Sequence, residues 1–197
     1  NCEIYIHRNV SIGREKAIAK YGAEVNRIEG NYDDSVRIAA EVAKENSYYV
    51  VSDTSYEGYT DIPKDVMQGY TVMVDETMKQ MKETPTHVFL QGGVGGFPAA
   101  AVSFFVESLD CPPIFVVVEP ANADCLFQSA VNGEPTVVHG DLDTVMAGLA
   151  CGEVSLLAWS ILESYVPHFM TIKDDSISKT MQLLANHQTP IVAGESA

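Results

Sequence analysis

The stretch Leu90-Gln-Gly-Gly-Val-Gly-Gly-Phe97 decides the fold, because it joins a strand pattern to a helix pattern. The apolar run at 87–91 predicts a buried strand, and the apolar residues from Pro98 to about Leu109 predict a helix. Four glycines in five residues allow backbone N–H groups to turn toward one anion, and the start of the helix adds about half a positive charge. A plain flexible turn is the alternative. The predicted phosphate cradle consists of Gly92, Gly93, Val94, Gly95 and Gly96.

Two common nucleotide motifs do not match this loop. No Gly-Lys-Ser/Thr follows it, which excludes the P-loop of nucleoside triphosphatases. The spacing Gly93-x-Gly95 lacks the third glycine of the dinucleotide fingerprint, because Pro98 stands at that position. Glu119 ends the next strand 24 residues after Gly95, where the ribose contact is expected at about 20 residues. A nucleotide-binding α/β domain is therefore the weakest of the functions that we consider.

Strand and helix patterns alternate along the whole chain, which predicts an α/β fold with parallel sheets and helices on both faces. A loop rich in Asp, Tyr, Gly and Pro at 53–63 is the best boundary. We assign 1–55 to part of a small α/β domain and 56–197 to a large α/β domain that carries the loop. The predicted strands are 2–6, 23–28, 48–52, 87–91, 114–118, 136–139, 168–172 and one that begins near 191.

Composition excludes several classes of partner. The 197 residues carry 12 basic and 27 acidic side chains, a net charge of −15, which argues against nucleic acid as a ligand. No apolar run approaches the roughly 18 residues that span a bilayer, so we expect no membrane partner. The histidines are dispersed and predict no metal site. Four scattered cysteines indicate neither a disulfide framework nor a zinc site, and a reduced cytoplasm is the expected location. They are Cys2, Cys111, Cys125 and Cys151.

Both ends of the sequence suggest a piece of a longer polypeptide. The chain opens with Asn-Cys-Glu-Ile-Tyr-Ile, already inside a strand pattern, and has no initiator Met. It closes at Ala197, directly after another strand pattern. We therefore expect a fragment, with residues simply missing at the ends as the alternative.

The glycine loop and several stretches outside it resemble a known enzyme family. The loop itself is similar to that of fold-type II pyridoxal-phosphate enzymes, the group of the threonine dehydratases and tryptophan synthase β. In their order along nearly the whole chain, the motifs resemble the diaminopropionate ammonia-lyase family. That family has Ala and Ser where this chain has Gly92 and Gly96. The motifs include Gly30-Asn-Tyr-Asp-Asp34, Tyr49-Val-Val-Ser-Asp53, Val66-Met-Gln-Gly-Tyr70, Val118-Glu-Pro120 and Met146-Ala-Gly-Leu-Ala-Cys-Gly-Glu153.

The resemblance implies an activity, a cofactor and site residues. It implies pyridoxal 5'-phosphate and an α,β-elimination that converts 2,3-diaminopropionate to pyruvate and ammonia in a homodimeric enzyme. Asp53 would be an active-site acid that handles the substrate amine or a proton; a loop-capping aspartate is the alternative. Gly148 and Leu149 would pass along the cofactor with backbone groups; a tight packing turn is the alternative. Glu119, before a proline at a strand end, is interpreted as structural.

One catalytic group is expected to be missing. In the family the Schiff-base lysine lies upstream of the segment present here, and the eight lysines of this chain all occupy predicted surface positions. We therefore expect that the chain alone lacks the covalent anchor for the cofactor. The alternative function is a non-catalytic fragment or subunit that binds another polypeptide.

Two cysteines give a separate prediction. Cys125 and Cys151 belong to motifs that flank the same carboxyl edge of the predicted sheet. We predict that their Cα atoms lie within about 7 Å, the limit for a disulfide. Two buried small apolar residues that never meet are the alternative.

Overall fold

A computed structural model describes residues 2–197. The chain divides into two compact units, Asn1–Ser52 and Asp53–Ala197. The assignment of 1–55 and 56–197 to parts of a small and a large domain stays a prediction. Each unit contains a parallel sheet, so the predicted α/β class is confirmed.

The first unit is a β-α-β-α arrangement whose two strands pair in parallel. The second helix begins directly after Asn31, which forms a capping box. The Asn31 side chain accepts from the Asp34 N–H at 3.1 Å, and the Asp34 carboxylate accepts from the Asn31 N–H at 2.8 Å. The elements are β1 (Glu3–His7), α1 (Ile12–Ala19), β2 (Glu24–Ile28) and α2 (Tyr32–Asn46).

The second unit holds a three-stranded parallel sheet in the order β3-β4-β5. Short 3-10 helices cover Ala147–Leu149 and Asp174–Ser176. The main elements are α3 (Asp61–Gln80), β3 (His87–Gln91), α4 (Gly96–Ser108), β4 (Ile114–Pro120), α5 (Cys125–Asn132), α6 (Leu156–Tyr165), β5 (His168–Ile172) and α7 (Ile177–Ala185).

The core of the second unit lies between β4 and α4. The middle strand β4 buries Phe115 and Val117, and α4 buries nearly every residue of its first two turns, including Ala99 and Val102. The helix α4 also packs against α3 and α6. Small residues on α4 allow this close approach from several sides, which holds the start of α4 in a fixed place.

Three predicted strands are wrong. The segment 48–52 has the β-branched and aromatic residues of a strand, but among the described residues 2–52 the sheet consists of β1 and β2 alone. The segment 136–139 is held elsewhere, because the Thr136 N–H donates to Ser129 Oγ at 2.8 Å. The segment near Ile191 returns to α7, where the Ile191 N–H donates to the Leu184 carbonyl at 3.0 Å. In each case tertiary contacts override a local strand preference.

Candidate functional site

The glycine loop lies between β3 and α4, at the carboxyl edge of the parallel sheet, where ligands bind in such folds. Gly95 is the N-cap of α4 and has φ +100°, a conformation that favours glycine. The Ala99 N–H donates to the Gly95 carbonyl at 3.0 Å, which closes the first turn of α4. The helix therefore begins directly at the loop, two residues before the predicted start at Pro98.

Gly92 continues the sheet rather than facing an anion. Its N–H donates to the Val118 carbonyl at 2.8 Å. A β-carbon added at Gly92 would lie 2.8 Å from Leu126 Cδ1 and 2.9 Å from Val117 Cγ1, closer than real contacts allow. The sheet therefore uses the Gly92 N–H, and an added β-carbon would force its neighbours in this chain to shift, while the place of Gly92 in the cofactor site stays a prediction.

The N–H groups of residues 93–96 remain as the donors of the predicted phosphate cradle. Within residues 2–197, none of these four groups donates to a protein acceptor. A β-carbon at Gly95 would lie 3.1 Å from Leu162 Cδ1 and 3.2 Å from Ala158 Cβ, so a side chain there would be crowded by α6 in addition to the strain at φ +100°. Unsatisfied N–H groups at the start of a helix bind phosphate well, and the cofactor implied by the sequence carries one. The residues present therefore fit a phosphate group.

The turn at Ala147–Leu149 closes one side of the cradle. A β-carbon at Gly93 would lie 3.5 Å from both the Gly148 carbonyl oxygen and the Leu149 Cα. The structure thus brings together two segments that the sequence analysis singled out separately. The Gly148 N–H donates to Ser196 Oγ at 3.2 Å, which fixes the outer side of the turn.

Asp53 lies beside the other end of the loop. Its carbonyl oxygen is 3.7 Å from the position of a β-carbon at Gly96. Burial raises the pKa of Tyr70 on α3, and the negative charge of Asp53 raises it further, so the carboxylate lies within electrostatic range of this hydroxyl. The Tyr70 ring in turn packs edge-on against Phe97, with the ring centroids 5.6 Å apart. The placement brings Asp53 to the cradle, while its chemical role stays a prediction.

Glu119 is buried at the end of β4. Its Oε1 accepts from the Leu126 N–H at 2.9 Å and its Oε2 accepts from the Phe127 N–H at 2.7 Å, so it caps the start of α5. Burial raises the pKa of Glu119 to about 8, although these two hydrogen bonds oppose the increase. The two bonds agree with a structural role, but sequence analysis gave no sign of the burial or of the raised pKa.

Both buried cysteines of the site lie against Gly93. The Cys125 Sγ is 3.5 Å from the Gly93 carbonyl oxygen, and the Cys151 Sγ is 3.3 Å from the position of a β-carbon on Gly93. The predicted Cα separation of less than about 7 Å stays a prediction. The decisive measurement is the Cα separation itself, and counting titratable thiols in the native and the unfolded chain would support it by showing whether the two cysteines are bonded.

Sequence reasoning missed two buried serines, Ser55 and Ser155, which are hydrogen-bonded to each other beside the loop. One signal was available for Ser155, since serine directly before an apolar helix pattern is typical of an N-cap. No local signal could have identified Ser55 as its partner, because 100 positions separate the two residues.

Within residues 2–197, no helix is long and apolar enough to cross a membrane.

Comparisons with known proteins agree with this geometry. The sequence model of the family described as "Pyridoxal-phosphate dependent enzyme" matches residues 1–197. Diaminopropionate ammonia-lyase of Escherichia coli strain K12 is 39% identical over 203 aligned residues, which cover 100% of this chain and 51% of that protein. The chain thus spans about half the length of the curated relatives that it matches.

Solved structures are similar to this chain over nearly its whole length. The Escherichia coli diaminopropionate ammonia lyase in complex with an aminoacrylate-PLP azomethine reaction intermediate has a TM-score of 0.89 and 37% identity. That match covers 100% of this chain and 51% of the other. A processed form of threonine deaminase isoform 2 from Solanum lycopersicum has a TM-score of 0.80 at 18% identity, covering 98% of this chain and 53% of its own. This second likeness concerns the fold alone.

Proposed function

The chain belongs to the pyridoxal-phosphate dependent enzyme family, and from this premise we propose that it forms the phosphate-binding half of a diaminopropionate ammonia-lyase. The proposed reaction is the α,β-elimination of 2,3-diaminopropionate to pyruvate and ammonia. The predicted fold, that of fold-type II enzymes, and the predicted cofactor, pyridoxal phosphate, are those of the family. The single observation that carries the proposal is the cradle of unsatisfied N–H groups at 93–96, with Asp53 beside it.

We propose a role for each group of the site. Pyridoxal phosphate, when bound, supplies an electron sink for the negative charge that develops at the substrate Cα. The N–H groups of 93–96 would hold its phosphate, and Gly148 with Leu149 would line its face with backbone groups. Asp53 would hold or move a proton at the substrate amine. The net charge of −15 does not oppose this, because the cradle uses backbone donors.

Phosphate binding tests the site directly. Inorganic phosphate, titrated into the 197-residue chain, is expected to shift the NMR amide signals of 93–96. Gly93→Asp should abolish these shifts, since a side chain there meets Cys151 and adds a like charge. Gly69→Asp is the matched control, because it adds the same charge on α3 with nothing within 4 Å. Equal loss in both variants, or no shift in the wild type, would contradict the proposal.

The proposed absence of the Schiff-base lysine from this chain is tested separately. We propose that this chain alone does not bind pyridoxal phosphate covalently, because no lysine occupies the family position. After incubation with the cofactor and reduction with borohydride, mass spectrometry is expected to find no single modified lysine. Stoichiometric modification of one specific lysine would show that the anchor is present.

A second candidate is a chain that works by binding another polypeptide. One face of the three-stranded sheet carries exposed apolar residues: Phe89 is 63% exposed, Ile114 42% and Met170 40%. Contiguous exposed apolar surface is typical of interaction sites. We propose a homodimer from the resemblance and this exposed face, and a cytoplasmic location from the resemblance alone. Light scattering should give twice the chain mass, and Phe89→Asp should lower it; a monomer at all concentrations would contradict the dimer.

A further inference from the structure

Two buried serines meet side chain to side chain in the second unit. Ser55 is 1% exposed and Ser155 is 0% exposed, and their Oγ atoms lie 2.8 Å apart. The Ser55 N–H also donates to Ser155 Oγ at 3.1 Å. Burying a hydroxyl is unfavourable unless it is hydrogen-bonded. Each serine therefore depends on the other for its place in the core.

Ser55 also caps α6, which begins at Leu156. The Leu157 N–H donates to Ser55 Oγ at 2.7 Å, and the Leu156 N–H donates to the Ser55 carbonyl at 3.3 Å. The first N–H groups of a helix have no acceptor within the helix itself. A residue from a distant part of the chain satisfies two of them here, so the start of α6 depends on Ser55.

Ser155 connects this cap to the glycine loop. Its N–H donates to the Val94 carbonyl at 2.8 Å. In a planar trans peptide the carbonyl oxygen and the following N–H point in opposite directions. Holding the Val94 oxygen toward Ser155 therefore turns the Gly95 N–H to the opposite side, where it is one of the unsatisfied donors of the cradle.

The same pair fixes the segment that carries Asp53. Asp53 lies two residues before Ser55, and its carbonyl oxygen lies beside Gly96 at the other end of the loop. Ser55 is tied to Ser155, and Ser155 is tied to Val94. One hydrogen-bonded chain thus sets the distance between the predicted acid and the predicted phosphate site.

We propose that Ser55 and Ser155 are positioning residues that orient the Val94–Gly95 peptide and so set the affinity of the loop for a phosphate group. This inference rests on the proposed function, because it assumes that the loop holds a phosphate. Neither serine contacts the anion. Both act through the start of α6 and the Val94 carbonyl.

The test uses Ser55→Ala in the 197-residue chain, with Ser160→Ala as the matched control. Ser160 lies on the exposed side of the same helix and donates to the Leu157 carbonyl at 2.8 Å. Ser55→Ala removes both hydrogen bonds of the Ser55 hydroxyl, the one with Ser155 Oγ and the one from the Leu157 N–H, while the Ser155 backbone N–H stays in place. The Kd for inorganic phosphate is expected to rise about fivefold in Ser55→Ala, which corresponds to about 1 kcal/mol. Ser160→Ala should leave it unchanged.

A second readout needs no ligand. The carbonyl ¹³C shift of Val94 reports its hydrogen bond, and it is expected to move in Ser55→Ala but not in Ser160→Ala. Ser155→Ala should change the Val94 shift and the phosphate Kd as Ser55→Ala does. The double variant should bind phosphate as tightly as either single variant, because the pair acts as a unit.

The outcomes separate this inference from the proposed function. A folded Ser55→Ala with wild-type phosphate Kd and an unchanged Val94 shift overturns the positioning role and leaves a structural one. If the wild-type loop does not respond to phosphate, the proposed function fails. The Val94 carbonyl shift still decides whether the serine pair orients the Val94–Gly95 peptide. Should Ser55→Ala not fold, Ser155→Ala carries the same test, since it keeps the Ser55 cap on Leu157.

Discussion

Replacing Glu119 with glutamine should remove a large part of the pH dependence of stability in the second unit. The pKa of Glu119 is about 8 in the fold, against an ordinary value of 4.5, with burial as the main cause. The fold therefore binds the proton more tightly than the unfolded chain does. The stabilisation is complete below pH 4.5 and is lost as the pH rises through 8.

The size of the effect follows from these two values. Between them, stability falls by about 1.4 kcal/mol per pH unit, so the free energy of unfolding should drop by about 2 to 3 kcal/mol from pH 5.5 to 7.5. Glu119→Gln cannot ionise and lacks this drop. Its amide oxygen can accept from only one of the Leu126 and Phe127 N–H groups, so the variant is expected to fold with a lower stability that does not change with the ionisation of residue 119.

Urea unfolding provides the assay. The single tryptophan, Trp159, is buried in the second unit and reports on that unit alone. The quantity to compare is the unfolding free energy of the wild type minus that of Glu119→Gln at each pH, because other titrating groups cancel in this difference. Glu107→Gln, on the exposed end of α4, is the control for removing a carboxylate outside the core. A constant difference for Glu119→Gln would mean that the carboxylate stays ionised, held by the N–H groups of α5.

Gly92→Ala should destabilise the second unit by about 1 to 3 kcal/mol, because its β-carbon would lie 2.8 Å from a buried leucine methyl. Gly69→Ala, in open space on α3, should instead stabilise it by about 0.5 to 1 kcal/mol; urea unfolding compares the two. Asp53→Asn should lower the pKa of Tyr70, since it removes the nearby negative charge, and ultraviolet titration of the phenol would follow this. An unchanged titration would place the Asp53 carboxylate away from Tyr70. Asn31→Ala should cost the first unit about 1 kcal/mol through loss of the capping box, measured by circular dichroism during thermal unfolding.

Local chemistry explains what the sequence could predict. The glycine loop and its flanking strand and helix follow from backbone freedom and apolar pattern, and the start of α2 follows from the Asn31 cap. The failed strand at 136–139 has the right residue types, but Thr136 bonds to a serine of α5. The fate of that segment depends on a contact that no local pattern specifies.

Prediction of the candidate site from the sequence meets the same limit. The resemblance implies that the cradle and Gly148 each contact the cofactor, but the sequence contains no sign that the Gly92 N–H is used by the sheet. The burial of Glu119 depends on α5 covering it, and the Ser55–Ser155 pair depends on the packing of distant segments. These features arise from tertiary structure alone.

The cradle has a consequence for how ionic strength acts on binding. Residues 83–172, which include the whole loop, contain neither lysine nor arginine, in a chain of net charge −15. Phosphate sites built on cations weaken as salt rises, because counterions screen a long-range attraction. Here the long-range field repels the anion, and the attraction comes from N–H dipoles at contact distance. Added electrolyte with a weakly coordinating anion screens the repulsion more than the contact, so phosphate affinity should hold or rise with salt concentration.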